Sequence, residues 1–312
     1  MKKIALLTLA FLLSLSILDR TFSYVFMKSV FQKTLSGESG GTINYAISEK
    51  QTTDFLIMGA SRAKHSIDPS LVPALGKNGY NMGINGTNAL NTLLILDILL
   101  ANNVTTKTLI IQTDLRDHLE AKKDTSSALI NQIKRVYPYD TPLIRSYVKD
   151  AGITEQIKYF FDLYKLNGKI INISYNFLKR NRIGNTNGYV PLPQTTYHQN
   201  PQNGDDYVFH NTGTNAQALR DIKELSEKHG IKLIVILMPS YENIIYNKEQ
   251  TARMIEAFKA DGILNIVDLS DIYTHPELND TTLWRDGVHL NYKGAEIFSK
   301  IFNQKIIEMR LN

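Results

Sequence analysis

A serine hydroxyl is a poor nucleophile until an imidazole within hydrogen-bond reach can take its proton and a carboxylate steadies that imidazole from its other side. Two stretches of this chain hold the side chains for such a relay. "IMGASRAK", Ile57 to Lys64, sets Ser61 directly after an apolar run, and "LWRDGVHLNYKG", Leu283 to Gly294, sets Asp286 and His289 three residues apart in a glycine-containing loop. In an extended or turning loop that spacing lets the carboxylate grip the nearer ring nitrogen while the farther one points outward. Each signal is weak alone. A Gly-x-Ser after a strand is commonly a turn, Ser61 could instead cap a helix, and Asp-x-x-His arises in helix-capping and surface loops. The chemistry they would share is acyl transfer through Ser61, with His289 as base and then acid and Asp286 as orienter of the ring.

The elements that must position them follow from the pattern of apolar residues. From Asp54 onward, short apolar runs alternate with longer segments of helical period, which predicts an α/β fold with a parallel sheet. Strands are expected over 55–59, 80–84, 108–115, 231–239 and 263–270, and their continuous apolar character implies cover on both faces. Helices are expected over 88–101, 214–229, 248–260 and 292–309, the second with Thr214 or Asn215 as N-cap and Gly230 just past its end. Ser61 falls at the carboxyl end of the first strand, where open α/β sheets bind ligands, and the Asp286/His289 loop follows the last strand. The segment from His118 to Gly213 interrupts this rhythm. Helical pieces near 125–136 and 154–178 and a turn-rich remainder suggest an inserted cap or subdomain.

Composition narrows the classes. With 312 residues, 43% of them hydrophobic, the chain can bury a substantial core. Lys and Arg number 35 against 30 Asp and Glu, and the basic residues are scattered, so a nucleic-acid partner is not expected. There is no cysteine, which excludes disulfides, thiolate metal sites, a cysteine nucleophile and a lipidated cysteine. Of seven histidines, His118, His198, His210, His229 and His275 lack metal-site spacing, and His65 reads as structural or as a second polar group in the cleft. Tyr189, Tyr197, Tyr207 and Trp284 could stack on sugar rings or pack in the core. No acidic pair at a strand end suggests a glycosidase. At the amino terminus Lys2 and Lys3 precede fifteen uncharged, mostly apolar residues, Ile4 to Leu18, and then Asp19 and Arg20. Residues 1–25 therefore read as a signal peptide or membrane anchor of an exported, periplasmic or extracytoplasmic protein.

Taken together, "IMGAS", "YNMGINGT" (Tyr80 to Thr87) and "DGVHLNYKG" resemble, in order and spacing, three motifs of the SGNH, or GDSL-like, hydrolase superfamily. The likeness covers residues 54–117 and 231–309, within a catalytic domain expected over 50–312 with 118–213 inserted. It implies a flavodoxin-like three-layer sandwich with a central, mainly parallel five-stranded sheet. It also implies Ser61 as nucleophile, Asp286 and His289 as its partners, and an oxyanion hole from the amides of Ser61 and Gly86, with Asn85 as a further candidate. No metal or organic cofactor is implied. One motif departs: where the family usually places an asparagine after the third strand, this chain reads "IIQTDLRDH", leaving Gln112 or Arg116 as substitutes. Branches with Arg or Glu after the serine, as Arg62 stands here, look like envelope proteins that move acyl groups on polysaccharides, including the D-alanyl transfer protein of teichoic acid assembly. The expected function is thus an exported esterase or O-acyltransferase acting on acyl, most plausibly acetyl, groups of a cell-envelope polymer. Arg62 and Arg116 would contact substrate, and a membrane-bound acyltransferase would be a partner. The competing expectation is a non-catalytic glycan-binding or polysaccharide-assembly component with a degenerate fold.

Overall fold

The computed structural model describes residues 1–119, 127–166, 168–179, 187–194 and 207–311. Tyr197, His198 and most of the turn-rich stretch lie outside them. The chain divides into two compact units, one formed by residues 50–96, 103–124 and 183–312, the other by residues 1–49, 97–102 and 125–182.

The first unit is built on five strands: β1 (Thr52–Met58), β2 (Gly79–Asn81), β3 (Thr105–Thr113), β4 (Lys232–Leu237) and β5 (Ile266–Asp268). All neighbouring pairs are parallel, in the order β2-β1-β3-β4-β5. That is the flavodoxin-like order, and helices cover both faces to make an α/β three-layer sandwich. Side chains alternate across the sheet, so residues in register share a face. Ile57, Ile110 and Ile234 stand side by side and pack with Phe298, Phe302 and Ile306 of the carboxyl-terminal helix, Tyr292–Glu308. Leu56, Leu109 and Leu233 point the other way, and the Thr214–Lys228 helix packs along β4. The four helices expected over 88–101, 214–229, 248–260 and 292–309 begin and end within one residue of those bounds, but the expected cap at Thr214 or Asn215 does not form. Thr214 is the first helical residue and Gly213 stands at the N-cap without a side-chain bond.

The second unit is helical. A helix over Lys2–Phe26 runs on through one π turn, Met27–Phe31, and further helices cover Gly41–Glu49, Ser127–Ile133, Pro142–Asp150, Ile153–Phe160, Asp162–Lys165 and Ile170–Lys179. The single helix expected over 154–178 is therefore three. It breaks at Phe161, whose backbone is extended, because the Asp19 carboxylate accepts from the amides of Asp162 (2.8 Å) and Leu163 (2.9 Å) and starts a new turn there.

Candidate active site

The turn that carries Ser61 is narrow by construction. Gly59 has φ of +146°, and a Cβ on it would lie 2.9 Å from the Cβ of Gln112, so a side chain there is excluded twice over. The chain then passes Ala60, whose amide donates to Oε1 of Gln112 at 3.2 Å, and enters a short helix, Ser61–Ser66. Ala60, not Ser61, is the N-cap, so the hydroxyl is not engaged in capping. Ser61 Oγ lies 2.7 Å from Nε2 of His289.

His289 reaches that hydroxyl because its loop is held closed at the base. The Arg285 amide donates to the His289 carbonyl (2.8 Å), the Asn291 amide to Leu283 O (2.9 Å), and Asn291 Oδ1 caps the final helix. Asp286 folds the loop from within. Its Oδ1 accepts from the amides of Val288 (3.0 Å) and His289 (2.9 Å), and both carboxylate oxygens lie 2.9 Å from His289 Nδ1. Burial works to raise the Asp286 carboxyl, but the hydrogen bonds from the His289 ring and the two amides leave it below its ordinary range. A carboxylate at Nδ1 fixes the proton there, and the bare Nε2 can accept from Ser61 Oγ–H. Three side chains from opposite ends of the chain thus form one hydrogen-bonded relay beyond the carboxyl ends of the strands.

A second imidazole stands beside the first. His65 is one turn after Ser61, and its ring centroid is 6.3 Å from that of His289. His65 Nδ1 lies 2.6 Å from Val190 O and Nε2 lies 3.0 Å from Asn85 Oδ1. Burial lowers its proton affinity, against hydrogen bonds that work to raise it. Val190 O and Asn85 Oδ1 are both acceptors, so the single proton of a neutral ring serves one of them at a time and a protonated ring would serve both. Asn85, expected near the oxyanion, is in this arrangement tied to His65. It precedes Gly86 in a β-turn closed by the Thr87 amide on Ile84 O (3.3 Å), and Gly86 takes the positive φ, +64°, that the turn's third position requires.

Two expectations need correction. Arg62 does not face a ligand: it is 2% exposed and its guanidinium is taken up inside the unit. Nη1 pairs with Asp114 Oδ2 at 2.7 Å, and Nη2 donates to the carbonyls of Met238 (2.7 Å) and Pro239. Asp114 stands just after β3, so the place where the resembled family has asparagine is here one half of a buried ion pair. This clamp ties the carboxyl ends of β1, β3 and β4 together directly under the nucleophile turn. Trp284 and Tyr189 offer no stacking face either, being buried, with Trp284 Nε1 donating to Leu278 O at 2.9 Å. Arg116 is partly exposed and sits 3.7 Å from Asp114.

Sequence reasoning missed Asn81 and Asp117. Asn81 Nδ2 donates to Ala63 O and Ile67 O, both at 2.7 Å, and pins the helix that carries Ser61 to the end of β2. The Asp117 carboxyl is pushed up to about 7 by burial and by the negative Asp114. A polar residue ending a buried strand was the signal for Asn81; Asp117 left none. Among the described residues no group of three or more His, Asp or Glu could hold a metal ion. No protein-family model matches the chain, and no curated protein is detectably similar to it.

Proposed function

We propose that this chain is an exported serine-dependent esterase or O-acyltransferase of the SGNH type, acting on acetyl or other acyl groups of a cell-envelope polysaccharide. One observation carries the reading: Ser61 Oγ, His289 Nε2 and Nδ1, and the Asp286 carboxylate are joined by contacts of 2.7 and 2.9 Å at the ligand-binding edge of an α/β sheet. In the proposed reaction Ser61 Oγ attacks the ester carbonyl as its proton passes to His289 Nε2. The tetrahedral oxyanion is held by the amides of Ser61 and Gly86, the alcohol leaves with the proton from His289, and the acyl group remains on Ser61. Water or a sugar hydroxyl, deprotonated by His289, then takes the acyl group and frees the serine. The long apolar amino-terminal helix supports export as a signal sequence or membrane anchor.

A fluorophosphonate probe tests this, since it labels only an activated serine. Labelling of the wild type that is lost in both Ser61→Ala and His289→Ala is the expected outcome. An unlabelled wild type would favour the second reading, a glycan-binding or assembly component. The observation on that side is Asp114, locked to Arg62 where a side-chain amide would have served the oxyanion.

A further inference from the structure

The helical unit distributes its residues in an unusual way. From Ile4 to Leu18 the amino-terminal helix exposes its apolar side chains almost all round. From Asp19 onward one face, Asp19, Ser23 and Phe26, turns into protein, while Phe22 and Val25 on the other face remain exposed. The exposed apolar length from Ile4 to Val25 is about 33 Å at 1.5 Å per residue, close to the hydrocarbon thickness of a bilayer. Asp19 and Arg20 therefore fall within that length, and both find polar partners within the unit itself. The Asp19 carboxylate caps the Asp162 helix. Arg20 donates to Asp162 (2.6 Å) and Phe160 O (2.7 Å) and lies 4.7 Å over the Phe160 ring.

Whatever is tied to Asp19 and Arg20 shares their depth. The tied segment is Ile153–Lys165, and it shows an apolar stripe at i, i+4 and i+7: Ile153 is 68% exposed, Ile157 58% and Phe160 56%, with Phe161 beside them. A second stripe repeats the spacing on Ile170–Lys179, where Ile171 is 79% and Leu178 77% exposed with Tyr175 between them. That helix packs on the π turn through Ile173, which joins Phe26 and Phe31 in one core. Two unpartnered apolar stripes on one small unit are unfavourable in water.

We propose that residues 1–31 remain in the mature protein as its anchor and that both stripes lie in the headgroup–acyl boundary of the same membrane, making the helical unit a monotopic collar. The occupant is lipid, because the stripes continue the exposed apolar surface of a helix with the length of a span. This rests on the anchor reading of the amino terminus and is independent of the serine chemistry.

The full-length chain has no cysteine, so Ile157→Cys, Phe160→Cys, Ile171→Cys and Leu178→Cys each give one labelling site, with Leu264→Cys, exposed on the sheet unit, as control. The nitrobenzoxadiazole-labelled proteins are reconstituted in phosphatidylethanolamine–phosphatidylglycerol vesicles. The four stripe probes are expected to be quenched several-fold more by doxyl-labelled lipid than by aqueous iodide, and the control the reverse. Stripe probes as open to iodide as the control would overturn the collar, as would shielding that grows with protein concentration without lipid quenching, which assigns the stripes to a second copy. Intact mass of membrane-extracted protein separates the two parts. A chain beginning after Phe31 sinks the anchor, whereas an intact amino terminus with wet stripes sinks only the collar.

Discussion

In the sheet unit Ile57, Ile110 and Ile234 are hidden and the exposed edge carries a polar relay; in the helical unit Glu155 is buried and Ile157, two residues from that tyrosine-ringed carboxylate, faces outward. Glu155 accepts from the hydroxyls of Tyr137 and Tyr164, each at 2.9 Å, and Asn44 donates to Phe31 O at 2.6 Å. Each unit thus pairs these buried polar groups internally, but the helical unit also leaves Ile153, Ile157, Phe160, Ile171 and Leu178 more than half exposed. On the proposals made above, the two units answer to different surroundings, the sheet unit holding a reacting group in water and the helical unit keeping polar groups away from an apolar medium.

The largest expected effect breaks the relay without disturbing the fold. Asp286→Asn keeps the size of the side chain but removes the charge that fixes the proton on His289 Nδ1, and the ring can then present N–H, not a lone pair, to Ser61. Turnover of an acetyl ester should fall about ten-thousand-fold, with thermal unfolding little changed. A loss below about tenfold would show that the carboxylate does not orient the base.

Next comes the clamp beneath the nucleophile. Arg62→Met leaves Asp114 charged and buried with only the more exposed Arg116, 3.7 Å away, to offset it, which costs up to about 3–5 kcal/mol. Adding Asp114→Asn should restore most of that, since the amide still caps the turn that begins at Leu115. Urea unfolding followed by Trp284, the only tryptophan and a residue of the sheet unit, reports this unit alone. Additive losses in the double variant would refute the coupling.

How far the sequence could lead differs between the units for a physical reason. Strand and helix signals at Phe55, Ile110, Ile234 and Phe298 come from local periodicity, and that was enough for the parallel sheet and for the edge where Ser61 and His289 meet. The clamp was illegible because Arg62 and Asp114 are 52 residues apart, and an arginine after a serine reads as surface until its partner is seen. Likewise, nothing around Phe161 announces a helix break, since the cap is Asp19, more than 140 residues away. Long-range polar contacts leave no period in the sequence.

A smaller effect concerns the sheet unit's interior. His118 is buried against Phe258 with its Nε2 3.0 Å from the Thr113 hydroxyl, and burial holds it down to about 4. Its folded affinity for a proton is below the unfolded value of 6.5, so as pH falls from 6.5 towards 4 the unfolded chain takes the proton first and stability is lost. Relative to His118→Gln, which cannot titrate, the wild type should lose up to about 3 kcal/mol across that window. Parallel pH curves for the two proteins would contradict a neutral, buried ring.

The smallest expected effect addresses the helical unit. Asp19→Ala leaves the amides of Asp162 and Leu163 without their acceptor while Arg20 keeps its pair with Asp162, a loss of about 1 kcal/mol typical of a missing N-cap. Because the Asp162–Lys165 helix is a single turn with little cooperativity of its own, that loss should appear as local opening rather than global unfolding. Amide hydrogen exchange over 161–166 should quicken about five-fold, while exchange in β1 and β3 stays as it was. Unchanged exchange at 161–166 would mean that the amino-terminal helix is a leader resting on the unit and not a part of its fold, and the contrast between the two units would lose its physical basis.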